Sequence, residues 1–318
     1  MSRTALPPAS PLPGSPIGAP RRWRPAPVVT GTLALHAGAA ALAALQPGSW
    51  PLALGAVAAS HAVVTAAGLW PRSSLLGPNW TRLPDYTGNG NGNGNGNING
   101  IAITIDDGPD PDVTPRVLDL LDRYGARATF FCIGSRACRH PHLVEAIVAR
   151  GHAVENHSQH HRHHFSLMGP RAMRREIEAA QRTLTELSGT APLFFRAPAG
   201  LRNPFLEPVL CTLGLQLASW TRRGFDTRTR DAALVSERLL RGLAARDILL
   251  LHDGHAPRDA QGWPIVLDAL DTVLRAARDS GLPCVTLRAV LPATDVFPTA
   301  AKTAAASSLE ANGEDPPL

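Results

Sequence analysis

The sequence predicts an α/β fold: a distorted parallel (β/α) barrel of about seven units, preceded by two transmembrane helices. Three observations predict it. Between residues 98 and 287 short apolar runs alternate with longer segments of helical period, the pattern of repeated β/α units. Polar clusters follow the apolar runs at their C-terminal ends, where a β/α barrel gathers its functional groups. Upstream, residues 28–70 contain no Asp, Glu, Lys or Arg.

Residues 1–27 are rich in Pro, Ser and Arg, cannot bury enough apolar surface to offset chain entropy, and read as a disordered tail. Residues 28–71 hold two apolar spans, 28–45 and 52–70, each close to the roughly 20 residues that cross a bilayer. Trp50, Trp70 and Trp80 are suited to the membrane interface. A cleaved signal peptide or a buried Ala-rich hairpin is the competing reading. Arg21, Arg22 and Arg24 precede the first span, Arg72 and Arg82 follow the second, and the turn between is uncharged. The positive-inside rule then puts both ends on the cytoplasmic face of a bacterial-type inner membrane; a single crossing would turn the rest of the chain outward.

Residues 72–97 read as an Asn/Gly-rich linker, with alternating Asn and Gly over 88–97. Strands are expected at 101–105, 128–133, 152–155, 193–195, 216–219, 248–251 and 284–286. A helix starts with Thr114 as N-cap and Pro115 at the first helical position, burying Val117, Leu120, Leu121 and Tyr124. Another spans 170–187 with Met173, Ile177, Ala180, Leu184 and Leu187 on one face. The Ala-, Ser- and Pro-rich residues 291–318 read as a second disordered tail. The net charge of +5 is scattered, with no long basic run, which argues against nucleic acid as a partner. Four cysteines without CxxC spacing read as buried free thiols.

The chemistry gathers after the strands. Asp106 and Asp107 enter a Gly-Pro turn, and neighbouring side chains there point apart, so one carboxylate can bind a metal while the other handles a proton. His157 and His161, four residues apart on one side of a helical turn, complete a three-ligand set with one carboxylate and leave a coordination position for water. His152, His160, His163 and His164 offer other spacings. Arg196 can hold a carboxylate ionised or form an ordinary ion pair. Trp220 and Asp226 are weaker signals alone. His252, after the apolar run 248–251, can act near neutral pH or be a satisfied core histidine.

In order and separation, the segments Thr104-Ile105-Asp106-Asp107-Gly108-Pro109, His157-Ser158-x-x-His161, Arg196-x-Pro198-x-Gly200 and Leu250-x-His252-Asp253 resemble the successive motifs of NodB-like polysaccharide deacetylases. The resemblance covers about residues 98–287, and it implies a catalytic domain at 98–290. It implies that Asp107, His157 and His161 hold a divalent metal, usually Zn2+ with Co2+ or Ni2+ as alternatives. Asp106 becomes the general base, Arg196 its positioner, His252 the general acid and Asp226 the residue that tunes it. Ser158 braces the metal loop, Leu250 lines the acyl pocket, and a main-chain N–H near Ala199 meets the oxyanion. Trp220 joins the substrate wall. The partners implied are a carbohydrate with an N-acylated amino sugar and the lipid bilayer. Two positions depart from the family pattern: Ala199 stands where an aromatic residue is usual, and Thr227 follows Asp226 where Trp is usual. Both shrink apolar walls and bear on substrate choice. A non-sugar amide hydrolase and a metal-binding module without turnover remain the alternatives.

Overall fold

The computed structural model describes residues 20–84 and 99–291. The Asn/Gly tract at 88–97, the tail from 292 and most of the N-terminal tail lie outside the described residues. Helices α1 (Pro27–Leu45) and α2 (Trp50–Leu69) fold back on each other around a short turn at Pro47–Ser49. Both are long and apolar enough to cross a membrane. They bury almost none of their own apolar surface: Leu33, Leu52, Leu54 and Val63 are all exposed.

The body is one curled parallel sheet. Its strands are β1 (Ala102–Asp106), β2 (Ala128–Cys132), β3 (Ala153–Asn156), β4 (Phe194–Phe195), β5 (Gln216–Leu217), β6 (Arg222–Arg223) and β7 (Ile248–His252). They lie in the order β5-β4-β3-β2-β1-β7-β6, all parallel. Successive side chains on a strand point to opposite faces. Ile103 and Ile105 of β1, Phe130 of β2, and Leu249 and Leu251 of β7 therefore point outward, where they pack with the flanking helices. Ala102, Phe131, Phe194, Ile248 and Leu250 fill the interior.

The helix at Thr114–Arg123 buries Val117, Leu120 and Leu121 as expected. Thr114 is its first residue and not its N-cap; its hydroxyl accepts from the Asp110 N–H and donates to Asp253. The helix Pro170–Ser188 buries Met173, Ile177, Ala180 and Leu184, and Gly189 ends it with a left-handed φ of 70°, which glycine adopts at little steric cost.

Several expectations change. Residues 284–286 form no strand; Cys284 makes an isolated bridge to Ile101. The remaining strand is instead β6, whose two arginines give no apolar signal. Trp80 is not an interfacial residue: it forms a bridge to Ala218 and packs edge-on against Phe194. Arg82 forms a further bridge to Asp247, with its guanidinium 2.7 Å from that carboxylate, so residues 80–82 run along the opening between the edge strands β5 and β6. Within the segment read as a linker, Leu76 and Leu83 are buried against the body. All four cysteines are free, yet Cys138 is exposed and Cys284 half-buried.

Candidate active site

Strand parity and register bring the polar residues to one rim. Asp106 pairs with His252 across β1 and β7, and two positions below it on the same interior face sits Thr104. Asn156 of β3 pairs with Phe195 of β4, so the next residues of the two strands, His157 and Arg196, emerge side by side.

Asp106 is buried and held by Arg196, whose Nη1 donates to Oδ1 at 2.6 Å and to the Thr104 hydroxyl at 2.8 Å. The rest of the guanidinium is committed as well. Nε donates to the Ala218 carbonyl at 3.1 Å, Nη2 to the Ser219 carbonyl at 2.7 Å, and the plane lies over the Phe131 ring at 4.1 Å. A planar fork with every arm engaged fixes the carboxylate it holds.

Asp107 turns the other way, with a left-handed φ of 70°. Its Oδ1 lies 3.2 Å from His157 Nε2 and 3.2 Å from His161 Nε2. The His157 Nδ1 lies 2.8 Å from the Arg196 carbonyl oxygen. A carbonyl only accepts, so Nδ1 carries the hydrogen, and in the neutral ring Nε2 presents a lone pair to the carboxylate. Asp107 Oδ1 is buried with no hydrogen-bond partner among the described residues. Lone pairs facing one another in a buried place require a proton or a cation between them. One donor atom from each of Asp107, His157 and His161 lies within 4.8 Å of the others, and this donor set fits a divalent ion.

The two imidazoles do not share a helical turn as their spacing suggests. They lie in a loop where Ser158 and His161 have left-handed φ values of 65° and 49°, and the rings come to 4.8 Å between centroids. Ser158 holds the loop: its hydroxyl accepts from the His161 N–H at 3.0 Å, while its own N–H donates to Asn156 Oδ1 at 2.9 Å. Left-handed non-glycine residues cost energy and gather where function over-determines the backbone.

Charge tunes the groups differently. Burial works against ionised Asp107, but the facing histidines outweigh it and hold this carboxyl well below the usual range. Burial, joined by the charge of His157 whenever that ring is protonated, lowers His161 to about 4, keeping it neutral and able to donate its lone pair. His252 moves the other way. Burial disfavours its cation, yet the Asp226 carboxylate, backed by Asp106 and Asp107, raises it to about 9. Asp226 Oδ1 lies 2.9 Å from His252 Nδ1.

Leu250 is buried two residues below His252 on the same face. Trp220 is buried near the Arg196 and Arg223 guanidinium groups, at 5.9 and 5.4 Å. Ala199 is exposed in a left-handed turn, φ 55°. Sequence reasoning assigns no role to Thr104 or Asp253. Asp253 accepts from Thr114 at 2.5 Å, its other carboxylate oxygen is buried without a hydrogen-bond partner among the described residues, and its N–H donates to the Asp106 carbonyl at 3.2 Å. Burial, reinforced by Asp110 and Asp107, raises Asp253 to about 7 against the pull of that hydroxyl. Its position after His252 was the available signal.

Residues 93–218 match the family model described as polysaccharide deacetylase. A peptidoglycan-N-acetylglucosamine deacetylase of Bacillus cereus is 34% identical over 193 residues, which cover 60% of this chain and 87% of that protein. A second, PgdA of Listeria monocytogenes, is 33% identical over 187 residues, covering 59% of this chain. The match spans only 38% of the Listeria protein's length. Among solved structures, a family 4 carbohydrate esterase from Streptomyces lividans in complex with acetate superposes with a TM-score of 0.53 at 30% identity, over 58% of this chain and 91% of that one. The rim of carboxylates and imidazoles thus sits in a chain that belongs to the polysaccharide deacetylase family.

Proposed function

We propose that this chain hydrolyses the N-acyl amide, most simply the N-acetyl group, of an amino sugar, with a divalent metal held by Asp107, His157 and His161. Zn2+ is the first choice on the donor set of two imidazoles and one carboxylate, with Co2+ and Ni2+ able to occupy the same ligands. When bound, the ion supplies Lewis-acid polarisation and an acidified water. Asp106, fixed by Arg196, takes a proton from the attacking water. His252, charged through its contact with Asp226, gives a proton to the departing amine. The Gly200 N–H already donates to the Ala197 carbonyl at 2.8 Å, which leaves the main-chain N–H of Ala199 as the candidate donor to the oxyanion, and Leu250 and Trp220 supply apolar wall.

The observation that carries this reading is the Asp107 Oδ1, unpartnered among the described residues, facing the Nε2 atoms of His157 and His161 at 3.2 Å each, beside a second carboxylate that an arginine holds apart from them. The test is acetate release by the purified chain from N-acetylated glucosamine oligomers, after chelation and metal add-back. Release restored by the metal supports the reading; release from small non-sugar amides alone transfers the activity to another substrate class. Metal binding with no turnover on any amide leaves a binding module.

The division of the chain belongs to the same proposal: a membrane hairpin at 28–71, a catalytic domain at 98–290, and a connecting segment between them. Two charge-free helices with exposed apolar surface and arginines at both outer ends favour a hairpin that crosses the bilayer twice and leaves the catalytic domain on the cytoplasmic face. A C-terminal reporter active only in the cytoplasm reads that orientation directly.

A further inference from the structure

The hairpin meets the body at the catalytic rim. The Arg202 N–H donates to the Gly68 carbonyl at 3.1 Å, and a Cβ on Gly68 would overlap the Arg202 carbonyl oxygen, so the last turn of α2 lies backbone to backbone against the loop that follows Arg196. The Pro71 carbonyl accepts from Ser219 Oγ at 2.6 Å and from Asn79 Nδ2 at 3.0 Å. The Arg202 guanidinium, itself buried, donates to the Ser73 carbonyl. The other end of the hairpin is fastened to the same side of the body at the opposite end of β5: the Arg21 N–H donates to the Cys211 carbonyl at 2.8 Å, and its guanidinium to the Leu215 carbonyl at 2.5 Å. Attachment at both ends removes free rotation of the body about the hairpin. The Asn/Gly tract comes later in the chain than these contacts and cannot loosen them.

Two of the contacts to Pro71 lie next to the candidate chemistry. Ser219, which holds Pro71, also lends its carbonyl to Arg196, and Arg196 holds Asp106. Gly200, whose φ of 74° and close approach to Pro71 and Trp220 leave no room for a side chain, follows Ala199 directly. At the base of the hairpin Trp23 and Trp70 are 41% and 62% exposed, beside Arg22, Arg24 and Arg72. Amphipathic rings and cations at the ends of charge-free spans mark the headgroup level.

We propose that the hairpin holds the active-site rim against the headgroup layer, and that the substrate is an N-acylated amino sugar carried on a membrane lipid. This rests on the deacetylase reading above and names its substrate class. A sugar joined to a lipid through phosphate lies within a few ångströms of the headgroups, where this rim is pinned. A polymer remote from the bilayer would be out of reach of a body that cannot swing away.

The test uses the full chain in vesicles of phosphatidylethanolamine and phosphatidylglycerol. N-acetylglucosaminyl diphosphate is supplied either on a polyprenyl chain or on a short water-soluble alkyl chain, and acetate release is measured. Confinement to one surface is expected to favour the lipid-borne form by about tenfold or more at equal bulk concentration. Gly68→Val, which breaks the docking contact outside the catalytic residues, should remove that advantage and leave the short-chain rate unchanged. Equal or faster turnover of the short-chain form overturns the proposal while the deacetylase reading stands. No acetate from either form, with release from N-acetylated glucosamine oligomers intact, overturns the proposal while the deacetylase reading stands; no acetate from any of the three substrates defeats both. Orientation is read without activity: in a Cys138→Ser, Cys284→Ser background, a fluorophore on Phe205→Cys, an exposed position in the loop that docks on Gly68, should be quenched by headgroup-labelled lipid, and one on Ser280→Cys, exposed at the C-terminal end of the helix Ile265–Asp279, should not. Equal quenching, or quenching at 280 alone, overturns the docked orientation.

Discussion

Asp226 grips His252 twice: its Oδ1 lies 2.9 Å from the imidazole Nδ1, and its Oδ2 accepts the main-chain N–H of the same histidine at 2.7 Å. The carboxylate therefore fixes both the ring and its tautomer, leaving Nε2 as the nitrogen free to exchange a proton. Two contacts to one residue leave the pair little freedom to separate.

The first prediction follows from the sign of this coupling. Burial alone would lower His252, but Asp226 and the carboxylates behind it raise it from 6.5 to about 9. A group raised in the folded state stays protonated up to its raised value, so the acid is loaded through the neutral range and unloads as pH rises through about 9. Asp226→Asn removes the largest favourable charge. The alkaline limb of kcat/KM should move down toward the ordinary histidine range, with a larger rate loss at pH 8 than at pH 6. An unmoved limb in a folded variant would remove His252 from the acid role.

Asp106→Asn separates proton handling from metal holding. Arg196 engages Asp106 Oδ1, and Asp106 Oδ2 stays 3.8 Å from His157 Nε2, outside the group of three converging ligands. Turnover should fall by about 10²–10⁴-fold, the usual worth of a positioned base, while bound metal measured by elemental analysis stays at the wild-type level. Loss of metal in parallel with activity would show that both carboxylates serve the ion.

Much of this site was legible because its residues follow strong apolar strands. The run at 248–251 announces a buried strand, and period two then puts His252 on the interior face with Leu250. What was illegible depends on distant partners. β6 is two arginines whose pairing with β7 is made by backbone, with Asp247 answering the Arg222 charge. Trp80 suits a membrane interface as well as a barrel wall, and only Phe194 and Ala218, far along the chain, decide between them. The Asp253 contact to Thr114 joins residues 139 apart. The histidine spacing implied a pair within reach of Asp107, as the distances have it, but it also implied a helix where left-handed loop residues do the positioning.

Ser158 tests that loop. Its hydroxyl accepts the His161 N–H at 3.0 Å and touches no metal-facing atom of the three ligands by hydrogen bond. Ser158→Ala leaves every ligand present but releases the turn that aims His161. Outer partners of metal ligands typically matter by about 10–100-fold in affinity. Zinc affinity, measured by competition with a chromogenic chelator, should fall within that range, and His161→Ala should fall further. Unchanged affinity would mean that the left-handed backbone at 158 and 161 holds itself.

Arg196 is the residue whose loss should reach furthest through both fold and chemistry. Its guanidinium is almost wholly buried, and it satisfies the Asp106 carboxylate, the Thr104 hydroxyl and the carbonyls of Ala218 and Ser219 together. Arg196→Met keeps much of the apolar stem over Phe131 but strands a buried carboxylate, and breaking such a pair from one side typically costs about 3–5 kcal/mol. Arg196→Lys restores a charge without the fork, so it can answer Asp106 or the carbonyls but not all of them. Urea unfolding should rank wild type above Lys above Met. Adding Asp106→Asn to Arg196→Met should recover part of the lost stability, because the stranded charge is gone, while activity stays low in both. If Asp106→Asn instead adds its full separate cost, the pair is not coupled, and Arg196 acts through the Ala218 and Ser219 carbonyls and not through Asp106.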